Sequence, residues 1–263
     1  SVAPETAVRL VPDIGERLAQ LPETVIDYDR GLLDAQERQV VAKLIEASRP
    51  IHEIYLRQVS DGNPALRSEL AALAEKSAFD RRGLAYFDLM MGKWDRLKHD
   101  EPFISPFGPE GAKPAGAGFY PPDMTAAEFE KWIAEHPEDR ESFRNLYTVI
   151  RRKEGKLVAV PYSEYYREPL ARAALKLREA AALTGNASLK DFLLKRADAF
   201  QFNQYIESDV AWVQMDSPIE VVIGPYEVYE DALFNAKASF ESFVTVVDRP
   251  ESEKLKVYIQ HLT

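Results

Sequence analysis

The segment IEVVIGPYEVYED, residues 219–231, carries four carboxylates, Glu220, Glu227, Glu230 and Asp231, around Gly224-Pro225. Its alternating, β-branched start predicts a strand over 219–223 and, past the Gly-Pro break, another over 226–230. Side chains on a strand repeat every second residue, so Glu227 and Tyr229 are expected on one face. A carboxylate beside a phenol is a receptor for an α-ammonium group and a peptide carbonyl. The carboxylate supplies charge-assisted bonds and the hydroxyl supplies orientation. Glu241, Phe240 and Phe243 follow in FESFVTVVD. A sheet face whose acids hinder edge pairing accounts for the same residues, and the pattern alone leaves both readings open.

Other chemistry is thinner. None of the four histidines, His52, His99, His136 and His261, has another at i, i+4. In HEIYL, Leu56 stands where a zinc-binding HExxH helix needs histidine, so His52-Glu53 reads as helix surface. EF-hand, GxSxG, P-loop and GxGxxG patterns are absent. Gly111 to Gly118 lie in a proline-rich loop with neither a strand before nor a helix directly after, unlike a phosphate cradle. REAAALTGN from Arg178 resembles the start of a Nudix box, but Ala181 and Ala182 occupy the region where acids are needed. There is no cysteine, which excludes disulfides, thiolate metal sites and cysteine nucleophiles. The sequence holds no complete catalytic constellation.

The elements that must position these residues come in blocks. Asp34 can cap a helix carrying Val40, Val41, Leu44, Ile45, Ile51, Ile54 and Tyr55, which Pro50 is expected to bend or divide. Helices follow with Leu66, Leu70 and Leu73, and over about 82–97 with Phe87, Met91 and Trp94. Residues 101–123 form a long Gly/Pro loop, whose Phe103, Ile104, Phe107, Phe119 and Tyr120 predict that it packs down. Thr125 and Glu128 read as a capping box. A hairpin is expected from 146–151 and 157–160 about KEGK. Helices near 163–184, 188–202 and 204–213 follow, with Gly185-Asn186 as a C-cap. Strands at 219–223, 226–230 and 240–247 precede a helix over about 251–261. The blocks predict an α+β fold, mostly helical with a small antiparallel, barrel-like sheet. Residues 1–99 read as a leading helical region and 100–263 as an α+β substrate-binding lobe, together one compact unit.

At 263 residues the chain can bury a proper core. A formal charge of −10 disfavours nucleic acid as a partner, since phosphate binding needs a positive surface. It is compatible with a cationic or zwitterionic ligand, and equally with acidity kept for solubility. No apolar run approaches the ~20 residues of a membrane span. The start at Ser1 is a hint of a removed signal peptide; periplasm and cytoplasm both remain open.

IEVVIGPYEVYED followed by FESFVTVVD resembles the IES-IG-IE-YRD … FEGFVAVV segment of the dipeptidyl peptidase III family of zinc metallopeptidases. MMGKWDRLKHDEPFI (90–104), GAGFYPPDMTAAEFEKW (116–132) and PYSEYYREPLARAALKLREAA (161–181) are similar to its bacterial branch. The resemblance implies a two-lobed exopeptidase that removes dipeptides from peptide N-termini. One lobe holds zinc on an HExxGH helix, and the other, with a barrel-like sheet, positions the substrate. This chain resembles the second lobe. Glu227 falls where the family receives the α-ammonium and Tyr229 where it steadies the peptide, with Glu220 and Asp231 as further candidates. Glu230 stands where the family has arginine, and HExxGH is absent, so no zinc ligand is expected here. The resemblance implies a peptide substrate, zinc in the full-length protein, and a missing carboxy-terminal zinc-bearing lobe. The abrupt end after VYIQHLT favours that reading over a stand-alone, catalytically dead peptide- or partner-binding module. Parts of the family carry a Nudix domain, which would be a neighbour outside this chain.

Overall fold

In the computed structural model, which describes residues 8–259, the organising element is a long helix shared by two cores. Helix α1 (Ile14–Ala19) precedes α2 (Ala35–Val59), α3 (Asn63–Ala74) and α4 (Ala78–Met90). Asp34 caps α2, accepting from the Gln36 and Glu37 amides, while Glu37 reaches back to the Asp34 amide in a full capping box. The helix runs through Pro50 undivided: Pro50 is itself buried, and Val40, Leu44, Ala47, Ile51 and Ile54 keep one continuous apolar face. That face packs on α8 (Arg167–Leu183), where Leu170, Ala173, Leu177 and Ala180 are buried at matching helical spacing. Leu56, near its end, joins a smaller core with Ile14, Leu70, Tyr86, Phe87 and Phe103.

Helix α4 stops seven residues short of its expected end. Met91 takes a left-handed φ of 58° and Gly92 a φ of 152°, and the buried Asn63 amide donates to Met91 O and Leu56 O. Two short strands, β1 (Trp94–Asp95) and β2 (Glu101–Pro102), pair antiparallel. The following Gly/Pro loop is packed down as its aromatics predict: Phe103, Ile104, Phe119 and Tyr120 are buried, although Phe107 is not. Helices α5 (Ala126–Glu135) and α6 (Arg140–Arg144) come next. Thr125 caps α5, but only half the capping box forms, because Glu128 is drawn to Arg152 at 2.6 Å.

The expected hairpin is β3 (Thr148–Lys153) with β4 (Lys156–Pro161), turning through Glu154 and Gly155, both at positive φ. A short α7 (Tyr162–Tyr165) leads into α8, then α9 (Ala187–Phe202) and α10 (Ile206–Val213). Gly185 does not close α8 in a left-handed turn. Thr184 is the extended C-cap, and Asn186 instead begins α9, accepting from the Leu189 amide. The last hairpin pairs β5 (Ile219–Glu227) with β6 (Ser239–Val246), followed by α11 (Arg249–Ile259). The predicted end of that helix near His261, and the abrupt close at Leu262-Thr263, lie outside the described residues.

The fold is α+β, as the sequence implies, but the strands among the described residues form three separate two-stranded antiparallel sheets and no closed barrel. Gly224-Pro225 is no break either. One strand runs through it, with Gly224 opposite Glu241 and Pro225 opposite Phe240. Glycine is required there: at φ +152°, a Cβ would lie 2.7 Å from Nη1 of the fully buried Arg196, over which the strand passes.

Candidate functional site

The pocket containing Glu227 is built from α2 and the β5–β6 hairpin. Ser48, His52 and Tyr55 stand at i, i+4 and i+7 on α2, a polar stripe beside the apolar face. Two contacts set β6 against this helix. The buried Gln58 amide accepts from Phe240 N at 2.7 Å and donates to Ala238 O at 3.2 Å. The Ser48 and Ser242 hydroxyls meet at 2.6 Å. Between helix and strand lies a cavity of about 360 Å³, walled also by Ile51, Met91 and Phe240.

Glu227 reaches it through an irregularity. Ile219, Val221, Ile223 and Pro225 are buried at every second position, with Gly224 buried among them, and Glu227 would be next. The register slips between Pro225 and Glu227, so that Glu227 sits opposite Ser239 and is exposed at the pocket. Such a bulge re-aims a side chain at the end of a strand. Tyr229 lies beyond β5 in the loop rather than on a common strand face, yet it lines the same cavity and is 64% exposed.

Glu241, named in the sequence only as a neighbour, is the second carboxylate of the pocket. Its pKa is raised, first by burial and then by repulsion from Glu227. Burial, Glu227 and Glu241 likewise raise the Tyr229 phenol. The lining contains two carboxylates, one histidine and no lysine or arginine. Ser239 Oγ, on the wall, is buried without a hydrogen-bond partner in the described structure.

The other acids of the segment are placed elsewhere. Glu220 lies seven residues before Glu227 on β5, opposite Thr245 and away from this cavity. Burial raises its pKa, while a hydrogen bond with Trp212 opposes that. Glu230 is 3% exposed, and its carboxylate is taken up by protein partners. Arg96 forks onto it at 3.0 and 3.3 Å, Lys113 Nζ lies at 2.7 Å, and the Tyr55 hydroxyl donates at 3.1 Å. Burial alone would raise its pKa, but Arg96 and Lys113 hold it below the usual value.

Asp231 is fully buried, and the structure gives it a different task from binding at the pocket. Its oxygens accept from the amides of Leu233, Phe234, Ala236 and Lys237 and from the Tyr120 hydroxyl, all within 3.2 Å. Those bonds fold the loop that returns the chain from β5 to β6. The Lys237 ammonium is spent on the Phe143 and Asn145 carbonyls and the Thr148 hydroxyl.

Sequence reasoning reads His52 as helix surface and Tyr55 as part of the helical apolar series, and does not single out Ser48. The available signal was their own i, i+4, i+7 spacing beside the apolar face of an amphipathic helix. Among the described residues, no three His, Asp or Glu side chains come together in a group that could hold a metal ion, so a zinc ion does not fit the residues present. Nor does the Nudix-like stretch collect acids: Arg178 pairs with Asp198, and Glu179 with Lys43 and Lys176.

These features define an α+β chain with an acidic pocket suited to a cation. The sequence model of Peptidase family M49 matches residues 124–262, and the chain belongs to that family, which is zinc-dependent in general. It is similar to the solved dipeptidyl peptidase III of Caldithrix abyssi, with 50% identity and a TM-score of 0.90 over 94% of this chain and 46% of that one. The dipeptidyl-peptidase III of Corallococcus sp. strain EGB gives 38% identity and a TM-score of 0.88, over 95% of this chain and 46% of that one. A protein of Arabidopsis thaliana named Nudix hydrolase 3 is 31% identical over 276 residues, 88% of this chain and 36% of that protein. The chain thus spans about half or less of the length of the relatives it matches.

Proposed function

We propose that this chain is the peptide-receiving part of a dipeptidyl peptidase of the dipeptidyl peptidase III type, and that its pocket holds the free amino terminus of a peptide. The observation that carries this is the lining: Glu227 and Glu241 meet in one cavity with no lysine or arginine to neutralise them. Two carboxylates left unpaired by the protein favour an incoming ammonium. Tyr229 supplies a phenol at the rim, and the unpartnered Ser239 hydroxyl a further polar contact.

The pocket draws one wall from the leading region 1–99 and the other from 100–263, so both serve as one working unit. Glu230 and Asp231 position the loop that carries Tyr229. The zinc of the family would be held by residues outside this chain, in the complementary part of a longer protein. By itself the chain binds peptides without hydrolysing them. Nudix chemistry is not part of the reading, since the relative bearing that name is covered over only 36% of its length.

The test is calorimetric titration of the chain with trialanine and with N-acetyl-trialanine. Acetylation removes the charge and keeps the backbone, so only the free peptide is expected to bind. Equal affinity for both overturns the reading.

A further inference from the structure

The register slip that turns Glu227 into the acidic pocket has its foundation outside that pocket. Pro225 lies opposite Phe240 and Glu227 opposite Ser239, so Tyr226 between them is the extra residue of the bulge, without a cross-strand partner. Its half-buried side chain folds back along β5, with the hydroxyl 3.5 Å from the Ile223 carbonyl. The ring lies over Arg196 of α9, whose guanidinium carbon is 5.4 Å from the ring centroid. Gly224 permits this close approach, since a Cβ there would also lie 3.3 Å from the Tyr226 hydroxyl.

Arg196 is a poor choice for stability alone. It is fully buried, and Nη2 donates to Asp209 of α10 at 2.6 Å, whereas Nε and Nη1 have no hydrogen-bond partner among the described residues. Unpaired buried donors are destabilising, and a well-packed apolar side chain in place of a buried ion pair is often neutral or stabilising. What surrounds the guanidinium is aromatic: the ring centroids of Phe192, Tyr205 and Tyr226 each lie 5.4 Å from its carbon. Phe192 belongs to α9 and Tyr205 stands at the start of α10, so Tyr226 alone of the three comes from the sheet. The attraction between a cation and an aromatic face grows when both are removed from water.

We infer that Arg196 is a positioning residue for the acidic pocket: it clamps the Tyr226 ring, fixes the bulge, and so keeps Glu227 beside Glu241. Arg196 does not itself line the cavity. The inference rests on the proposed ammonium-receiving role of Glu227 only for what the aimed carboxylate binds, and the aiming can be read without a ligand.

The experiment compares wild type with Arg196→Met, Tyr226→Leu and Tyr226→Phe in the full 263-residue chain. NMR titration of the glutamate carboxyl carbons reads Glu241, which Glu227 helps to hold above its usual pKa. Calorimetry with trialanine reads the pocket, and thermal melts read stability. In Arg196→Met and Tyr226→Leu, Glu241 should titrate lower, toward the ordinary glutamate value, because Glu227 has turned away. Trialanine should bind about fivefold more weakly to both, the scale set by one cation–π contact. The melting temperature of Arg196→Met should equal or exceed that of wild type. Tyr226→Phe, which keeps the ring, should keep both the titration and the affinity. An unchanged Glu241 titration in Arg196→Met, whatever its melting temperature, makes the arginine merely structural and overturns the inference. If that variant does not fold, an unchanged titration in Tyr226→Leu overturns it equally. Should trialanine fail to bind wild type, the ammonium reading falls, and the Glu241 titration alone decides the positioning role.

Discussion

Glu227 and Glu241 on one side, Glu230 and Asp231 on the other, are the same chemistry within fifteen residues of chain, and their surroundings give them opposite uses. Asp231 accepts five hydrogen bonds and Glu230 meets two cations and a phenol. Nothing is left over for a ligand. Glu227 and Glu241 have only one another and the pocket, and their mutual repulsion is what an ammonium would relieve. Acidity of a segment therefore says little about binding until partners are counted.

The sharpest break of this comparison is Asp231→Ala. It deletes the acceptor of four amides and a buried tyrosine hydroxyl, and unpaired buried donors each cost on the order of 1–3 kcal/mol. A loss of at least about 4 kcal/mol, or failure to fold, is expected in urea denaturation, with Asp231→Asn milder. A loss below about 1 kcal/mol would return Asp231 to the candidate ligand groups. Glu230→Gln comes next. Breaking a buried pair strands its cations and costs about 3 kcal/mol.

The Glu230 effect has a pH signature. Its folded-state pKa is lowered, so between that value and the unfolded one the unfolded chain binds more protons. The stabilisation is fully present above the unfolded carboxylate value and is lost as pH falls through the folded one. Denaturation of wild type and Glu230→Gln at several pH values should give a constant difference near neutrality that narrows in acid. A difference independent of pH would mean that the lost contact is not ionic.

Glu227→Gln inverts the pattern. Stability should stay within about 0.5 kcal/mol, as for other exposed positions, while affinity for a free-amine peptide falls about tenfold or more, the worth of a charge-assisted bond. Glu241 sharpens this further. Because its pKa is raised, peptide affinity should climb as pH rises through a window starting above the ordinary glutamate value, as the second carboxylate ionises. Glu241→Gln should remove that part of the climb. Calorimetry from mildly acidic to neutral pH reads both.

Much of the fold was legible because its signals are local. The Asp34 cap, the apolar stripe of α2 and the KEGK turn each rest on a few consecutive residues. Pro50 does not divide α2, because the tertiary surface that keeps a helix whole around a proline is invisible in the sequence. Glu128 was half misread for the same reason: Arg152, which takes it from the capping box, is distant in sequence. In the site, motif resemblance singled out Glu227 and Tyr229, and both line one pocket. Their juxtaposition does not come from the strand period that predicted it. It comes from a register slip and a loop, and neither has a sequence signature strong enough to read. Glu230 and Asp231 looked available because burial and partners at 96, 113 and 120 are tertiary facts.

Glu220 supplies the smallest effect and the control for the comparison. It shares β5 with Glu227 and, like Glu241, has a raised pKa, so if segment acidity drove binding its loss should weaken peptides too. The structure instead sets it opposite Thr245 with Trp212 as its hydrogen-bond partner. Seven residues of strand separate it from Glu227, about 23 Å at the usual rise per residue, well beyond the Debye length near physiological salt. Glu220→Gln is therefore expected to leave peptide affinity within twofold. Its effect on stability should be small and favour the variant slightly at neutral pH. The sign follows from linkage: a carboxylate whose folded pKa is raised binds protons more readily when folded, so the native state loses stability as pH rises through that window. Glutamine escapes that loss. An affinity drop comparable to that of Glu227→Gln would show that the two acids act on the peptide through a shared field, and the division between bound and available carboxylates would have to be redrawn.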